Sequence, residues 1–587
     1  MKINFASSVA GESFSVIIIA SVLELGTDNI EELCDGLAEK QQFIRSTGIY
    51  EFPNGRASAQ YEFRHSLYRD FLYSRLPIGS RSKLHRRIGE QIEALGTNGI
   101  LEVASELALH FEEGREYVKA IKYLMRSAEN ATKRFEYKHA IDTLEHALQL
   151  VPKVATSAQA PLAIQLLERS GDIHYVRGSM SDSVKAYDAA AANALQAGLI
   201  ANQINALSCL SRPLAIIHPH QGLAVIQQAE QLSMTCDDSL LQARTQLLAA
   251  TSRLLYDAWR QEDCNLCISA RQRIGHLSDS KAPADEQMFY SYVQALQGDY
   301  SGALETSEAG ISNLNEAGNP LVYLLSIGGK LLTLLRLGQL GEVLRIVRSG
   351  YEMAEKNGND PWFFSFREAW LRTLAFDFEG ARGVCEAAMR RNRGYPTAQA
   401  QAIARVAAGY ADLKSRQYDQ AIRHFREVRD PKLTPKFFLH WIWRMTAQHG
   451  LSNAWLEAGD LSNARKEADG FLQSVLSTAD PYLHVLGWEM SARVAIKREE
   501  WTNAEERIRE ALEVLHDFEV PLAAWRLHST ASEFCRKTKK TEAAEEHRVR
   551  ARTAILTIAN SFQPEEQLRK VFLSASPIQG FVAARAS

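Results

Sequence analysis

One short pattern returns about every forty residues, and it restricts the architecture more than any other feature. A turn, often carrying Gly, is followed by a bulky residue and, three positions later, a small one. It reads "RGSMSDSVKAYDAA" at Gly178, Met180 and Ser183, "QGDYSGALETSEAG" at Gly298, Tyr300 and Ala303, and "AGDLSNARKEA" at Gly459, Leu461 and Ala464. The small positions run Ser183, Ala224, Cys264, Ala303, Val343, Ala381, Ala421, Ala464, Ala504 and Ala543. Their spacings are 41, 40, 39, 40, 38, 40, 43, 40 and 39 residues. A fixed period of this size is the signature of a helical solenoid, in which each hairpin buries its face only against its neighbours. Gly suits the turn because it takes positive φ at little cost. The bulky residue plugs the gap between paired helices, and the small one lies where they cross.

The segments between these turns are rich in Ala, Leu, Glu, Arg and Gln, all good helix formers. Two further hairpins precede the register, at Tyr117/Ala120 and Tyr137/Ala140, with Pro152 as a stop. A chain of 587 residues exceeds a single core, and an array resolves that difficulty. Net charge is −3, so bulk charge directs the chain toward neither nucleic acid nor membrane. The most apolar run, "VIIIASVL", is far short of the roughly 18–20 residues of a membrane span, and "MKINFASSVAGESF" lacks the apolar core of a signal peptide. Seven cysteines in this length argue against a disulfide framework. A reduced, cytoplasmic setting is expected.

No catalytic constellation emerges, and neither a metal nor a cofactor is expected. Cys264 and Cys267 form a lone CxxC, but Cys264 falls on a small position of the repeat, so both read as buried helix residues. His218 and His220 flank Pro219 in an expected loop, and His424, His440 and His449 lack metal-ligand spacing. "SIGGKLL" lacks the upstream Gly of a P-loop and a Ser or Thr after Lys330, and it sits in a helical repeat. In "HWIWRM", Trp441 and Trp443 cannot share a helix face, so one is expected in the core and the other on a groove. "DPWFFSFREAW" is the most aromatic stretch and reads as a repeat interface.

Residues 1–95 break the pattern. "SFSVIIIASVLEL" reads as a helix. A second helix begins near Thr27–Asp28, with Glu31 and Glu32 in its first turn. "QFIRSTGIYEF" and "ASAQYEFRH" are strand-like around "PNG", a turn signal, and two more helices follow. This is the order of a winged-helix domain. The strip Arg64, Arg69, Arg75, Arg81, Lys83, Arg86 and Arg87 is basic, but the recognition-like helix carries Glu31, Glu32, Asp35 and Glu39 against Lys40 alone. That is the wrong sign for a phosphate-lined groove, so DNA binding is a subordinate alternative.

"AIDTLEHALQLVP" closely resembles the second helix of a tetratricopeptide repeat. "IEELCDGLAEKQQFI", "YEFRHSLYRDFLYSRLP" and "ASELALHFEEG", with "AAWRLHSTASEFCRKTKKTEAAEEHRVRARTAILTIANSF" near the C-terminus, resemble the winged-helix and helical segments of bacterial STAND ATPase regulators of the MalT-like kind. The likeness implies an all-α chain: a tetratricopeptide-like helical-hairpin superhelix (α-solenoid) preceded by a small winged-helix domain. The expected divisions are 1–95 winged helix, 96–160 linking hairpins, 161–560 superhelix and 561–587 C-terminal tail. In that family an NTPase precedes the winged helix, and a winged-helix His can contact the nucleotide phosphates. The matching position is His65, with Arg64 beside it: either His65 caps Ser66 and the start of the following helix, or the two are phosphate contacts that would need a partner NTPase in trans. The expectation is therefore a non-enzymatic regulatory protein whose superhelix binds a protein, peptide or small effector. The alternative is the C-terminal half of a split or truncated STAND transcriptional regulator.

Overall fold

The computed structural model describes residues 2–40, 43–52, 55–95, 103–277, 284–312, 320–356, 358, 360–391 and 397–582. Pro53 and Asn54 of the expected "PNG" turn lie outside them. Two compact units form, Met1–Ser170 and Gly171–Ser587, with the boundary inside the helix Thr156–Val176. Apart from one small sheet the described residues are helices and their connecting turns: a tetratricopeptide-like superhelix of antiparallel hairpins, preceded by a winged-helix-like region.

That region runs α1 (Lys2–Ala10), β1 (Ser13–Ser15), α2 (Val16–Leu23), α3 (Thr27–Glu39), β2 (Ile44–Glu51), β3 (Ala57–Phe63), α4 (Ser66–Arg75) and α5 (Ile78–Leu95). The sheet is antiparallel in the order β1-β3-β2, with Phe14 opposite Tyr61 and Ile44 opposite Phe63. The expected helix "SFSVIIIASVLEL" is therefore divided. Its first three residues pair with β3, and α2 begins where the Ser58 hydroxyl accepts the Ile17 amide at 3.0 Å and a bond from the Ser15 hydroxyl at 2.9 Å. Phe14, Val16, Ile19, Ile30, Cys34, Tyr61 and Phe63 share one core. A further helix, α6 (Ala104–Glu113), packs against α5.

The repeat register is explained by one backbone device. Arg115, Phe135, Gly178, Gly298, Gly338, Phe376, Arg416, Gly459, Glu499 and Lys539 all have positive φ, between 60° and 84°. Each lies five residues before a small buried residue: Ala120, Ala140, Ser183, Ala303, Val343, Ala381, Ala421, Ala464, Ala504 and Ala544. The left-handed residue reverses the chain, and the small one lets the helices cross. Two expected positions shift. Ala543 is only half-buried, and Ala544 takes its place. Ala224 is exposed; Gly222 does its work, since a Cβ there would sit 2.4 Å from the Ala215 amide nitrogen. The paired helix Ile200–Ile217 passes directly over it. Pro219 opens the helix Pro219–Ser233, so His220 is in a first turn rather than a loop.

Within the second unit the two helices of each hairpin differ. First helices such as Ser239–Tyr256, His440–Glu457 and Pro481–Lys497 are buried on nearly every face, whereas second helices such as Phe378–Arg391 and Trp501–Asp517 bury a single stripe. A helix apolar all round must lie inside. The first helices thus form an inner layer, and residues far apart in sequence meet there. The Trp441 indole donates to the Leu254 carbonyl at 2.9 Å, the Trp362 indole to the Val176 carbonyl at 3.3 Å, and Arg336 pairs with Asp480 at 2.5 Å. The interior of the winding is packed, not an open trough. Trp441 and Trp443 are consequently both buried, the latter against Trp370 at 5.2 Å between ring centroids. Residues 561–582 hold two short helices, Gln567–Ser574 and Ser576–Val582, fixed by Phe572 stacked on Phe376.

Candidate functional site

Two places merit attention, one in each unit. In the first, His65 is the N-cap of α4: its backbone is extended, and its Nδ1 accepts the Leu67 amide at 3.2 Å. Arg64 continues from β3, and its amide donates to the Phe43 carbonyl at 2.9 Å. Both side chains are exposed. Helix α4 buries none of its residues. Leu67 is 67% exposed and Phe71 59%, with Phe43 and Tyr68 in edge-to-face contact beside them. So the sequence-derived pair Arg64 and His65 borders a wet, apolar surface.

The basic strip around it is largely committed to local contacts. Arg69 pairs with Asp70, Arg75 lies over the Phe71 ring, and the Arg81 Nε donates to the Leu76 carbonyl. Arg86 pairs with Glu116, and Arg87 reaches the Val22 carbonyl and Glu24. On α3, Glu32 and Asp35 are exposed, with Asp35 accepting the Tyr61 hydroxyl at 2.6 Å. The acidic side of that helix faces water, as its composition predicts.

The other candidates from the sequence lie apart from one another. Cys264 and Cys267 are free and buried; burial pushes the Cys264 thiol up to about 12 and the Cys267 thiol higher still. Metal ligation and thiol exchange need thiolates, so this pair is poorly placed for either. Lys330 pairs with Glu308 at 3.2 Å. The glycines before it serve close packing: a Cβ on Gly328 would collide with the Tyr292 hydroxyl, and one on Gly329 with the Ser291 hydroxyl. Among the described residues, no three His, Cys, Asp or Glu side chains gather as a metal site, and no helix is long and apolar enough to cross a membrane.

The second place is a small cavity in the inner layer of the superhelix, open at its mouth. Its walls come from successive first helices: Tyr175, Ile216, Tyr256, Phe289 and Tyr292, Leu325, Trp362, Phe363, Phe366 and Arg367, and Gln399. Phe437 and Phe438 close it. They belong to the turn before the helix His440–Glu457, which reaches across the winding: the Leu439 amide donates to the Leu255 carbonyl at 2.7 Å, and Lys436 pairs with Asp257. Leu439 takes φ 57° to make that approach. Tyr256 and Tyr292 set their rings edge-on to Phe438, at 5.4 and 5.2 Å. Burial pushes all three phenols, Tyr175, Tyr256 and Tyr292, upward, so they stay neutral. The stretch "DPWFFSFREAW" is thus a helix interface and a cavity wall together. Sequence reasoning overlooked Arg367, which stands beside Glu368 in the most aromatic run of the chain.

No family model matches the chain, and no curated protein matches it. Among solved structures, the APC/C hetero-tetramer Cut9–Hcn1 is similar over 85% of this chain and 91% of that one, at 13% identity and a TM-score of 0.41. A tetratricopeptide repeat protein from Parabacteroides merdae is similar over 49% of this chain and 97% of that one, at 14% identity and a TM-score of 0.27.

Proposed function

We propose that the chain is a non-enzymatic regulatory protein whose superhelix binds an effector in its inner cavity, while the first unit docks a protein partner over α4. The cavity carries this reading. Its walls are drawn from eight segments spread over residues 175–438. Anything that binds there interacts with most of the winding at once, and so can favour one packing of the repeats over another. The exposed Leu67 and Phe71 on a helix with no buried residue supply the second surface.

The alternative, one half of a STAND-type ATPase regulator working with a separate NTPase, has its own support. Arg64 and the Nε2 side of His65 border that same apolar surface, where a partner domain's nucleotide phosphates would find cationic and N–H donors. The exposed acidic side of α3 speaks against direct DNA binding.

Site-specific photo-cross-linking of the full chain in cells tests both surfaces, with a benzophenone amino acid at Phe71 or at the half-buried Phe438. A discrete protein adduct is expected from Phe71, and a peptide or small-molecule adduct from Phe438. If neither position yields a specific adduct, the protein is not an interaction module of this kind.

A further inference from the structure

We infer that the inner cavity takes a small organic acid with a flat apolar body, and that Arg367 holds its carboxylate. This rests on the effector-binding reading above and specifies the effector's chemistry.

The argument begins with a charge imbalance. Arg367 is only 7% exposed. Its Nη2 donates to the Tyr292 hydroxyl at 2.9 Å, and its guanidinium lies over the Phe363 and Phe438 rings at 4.3 and 5.8 Å. All of these partners are neutral. Among the described residues no carboxylate pairs with it. The most buried arginine of this unit is treated differently: Arg336 has Asp480, and the part-buried Arg253 has both Glu230 and Asp263. A guanidinium keeps its charge when buried, and an uncompensated buried charge is costly. The phenols cannot supply the anion, because burial keeps them protonated. A ligand carboxylate completes the pair.

The remaining chemistry fits the same class. An aromatic box without an internal cation would suit ammonium ligands; Arg367 repels them. The Tyr292 hydroxyl accepts from Arg367 and retains its own proton for a second bond to a carboxylate oxygen. Trp362, Phe366 and Phe437 offer flat walls to an apolar body, and the Gln399 amide lies on the same lining.

The experiment is a calorimetric titration of the full chain with benzoate, benzamide and benzylamine, three probes of one shape and different charge. Benzoate is expected to bind saturably and about ten-fold or more tighter than benzamide, as for a charge-assisted hydrogen bond, with benzylamine weakest. Arg367→Gln should erase the difference between benzoate and benzamide. Phe438→Leu, in a half-buried wall, should weaken both equally and keep the preference, which guards against a misfolded arginine variant. Equal affinities in the unaltered protein, no saturable benzoate binding, or a preference that survives Arg367→Gln each overturn the inference. Cross-links at Phe71 and Phe438 would still stand in that event. Their loss with benzoate selectivity intact would remove the wider reading alone.

Discussion

At the scale of single residues, the first unit stores a polar relay in an otherwise apolar joint. The Tyr73 hydroxyl meets His85 Nε2 at 3.0 Å, and His85 Nδ1 meets His110 Nδ1 at 2.9 Å. The His110 ring also bonds to the Ala10 carbonyl, which can only accept. His110 therefore donates to Ala10, accepts from His85, and leaves His85 Nε2 to accept from Tyr73. Both rings must be neutral for this chain of bonds. Burial brings His85 down to about 4, with Arg81 adding to the effect, and His110 down to about 3, with His85 adding to it. An unfolded chain takes up protons on such rings below about pH 6.5, while the native unit refuses them until near pH 4. Stability is thus fully present above pH 6.5 and is lost as pH falls toward 4. Hydrogen-exchange protection of α5 and α6, corrected for intrinsic rates, should decline over that window; a flat profile down to pH 4 would refute the relay. Arg367 and this histidine pair share a reason for being illegible in sequence. Nothing local distinguishes His85 or His110 from a surface histidine, and their meaning arises only when α4, α5 and α6 converge.

At the scale of the hairpin, the left-handed turn residue gives the cleanest energetic test. Gly459 has φ 83° and nothing within 4 Å of where a Cβ would stand, so Gly459→Ala isolates backbone strain. It should destabilise by about 1 kcal/mol. Arg416 holds φ 60° on an exposed turn without the freedom of glycine. Arg416→Gly should be neutral to stabilising by up to about 1 kcal/mol, since relief of strain offsets the added freedom of the unfolded chain. Thermal melts of the two variants should move in opposite directions or differ clearly in size; equal losses would disprove the account. The hairpins themselves were legible because their period is written in residue size, and Gly178, Gly298, Gly338 and Gly459 announce their turns. The misplacements at Ala224 and Ala543 have a common origin. Lys539 gives its left-handed turn no glycine marker, and no residue takes that conformation before Gly222, so at these two turns the register drifts by one and two residues, while Ala381, Ala421 and Ala504 stay in register behind Phe376, Arg416 and Glu499.

At the scale of the second unit, the inner layer binds successive turns of the winding to each other. The most buried ion pair among the described residues is Arg336 with Asp480, 2% and 0% exposed and 144 residues apart. Arg336→Met alone should cost about 3–5 kcal/mol, because it strands a buried carboxylate, whereas Arg336→Met with Asp480→Leu should restore most of that loss. A double-mutant cycle by urea unfolding reads the difference; strict additivity would mean the pair is not coupled. This packing was hidden from the sequence, because repeat spacing specifies neighbours and is silent on how tightly a superhelix winds. The bond from Trp441 to the Leu254 carbonyl spans 187 residues. A ribosome adds about 5–20 residues per second, so Leu254 leaves the ribosome about 10–40 s before its partner. For that interval the apolar lining of the newborn early repeats faces water with its permanent cover still unmade. Synthesis of this chain therefore includes a vulnerable period whose length is set by translation speed, and a holding chaperone would find its substrate there.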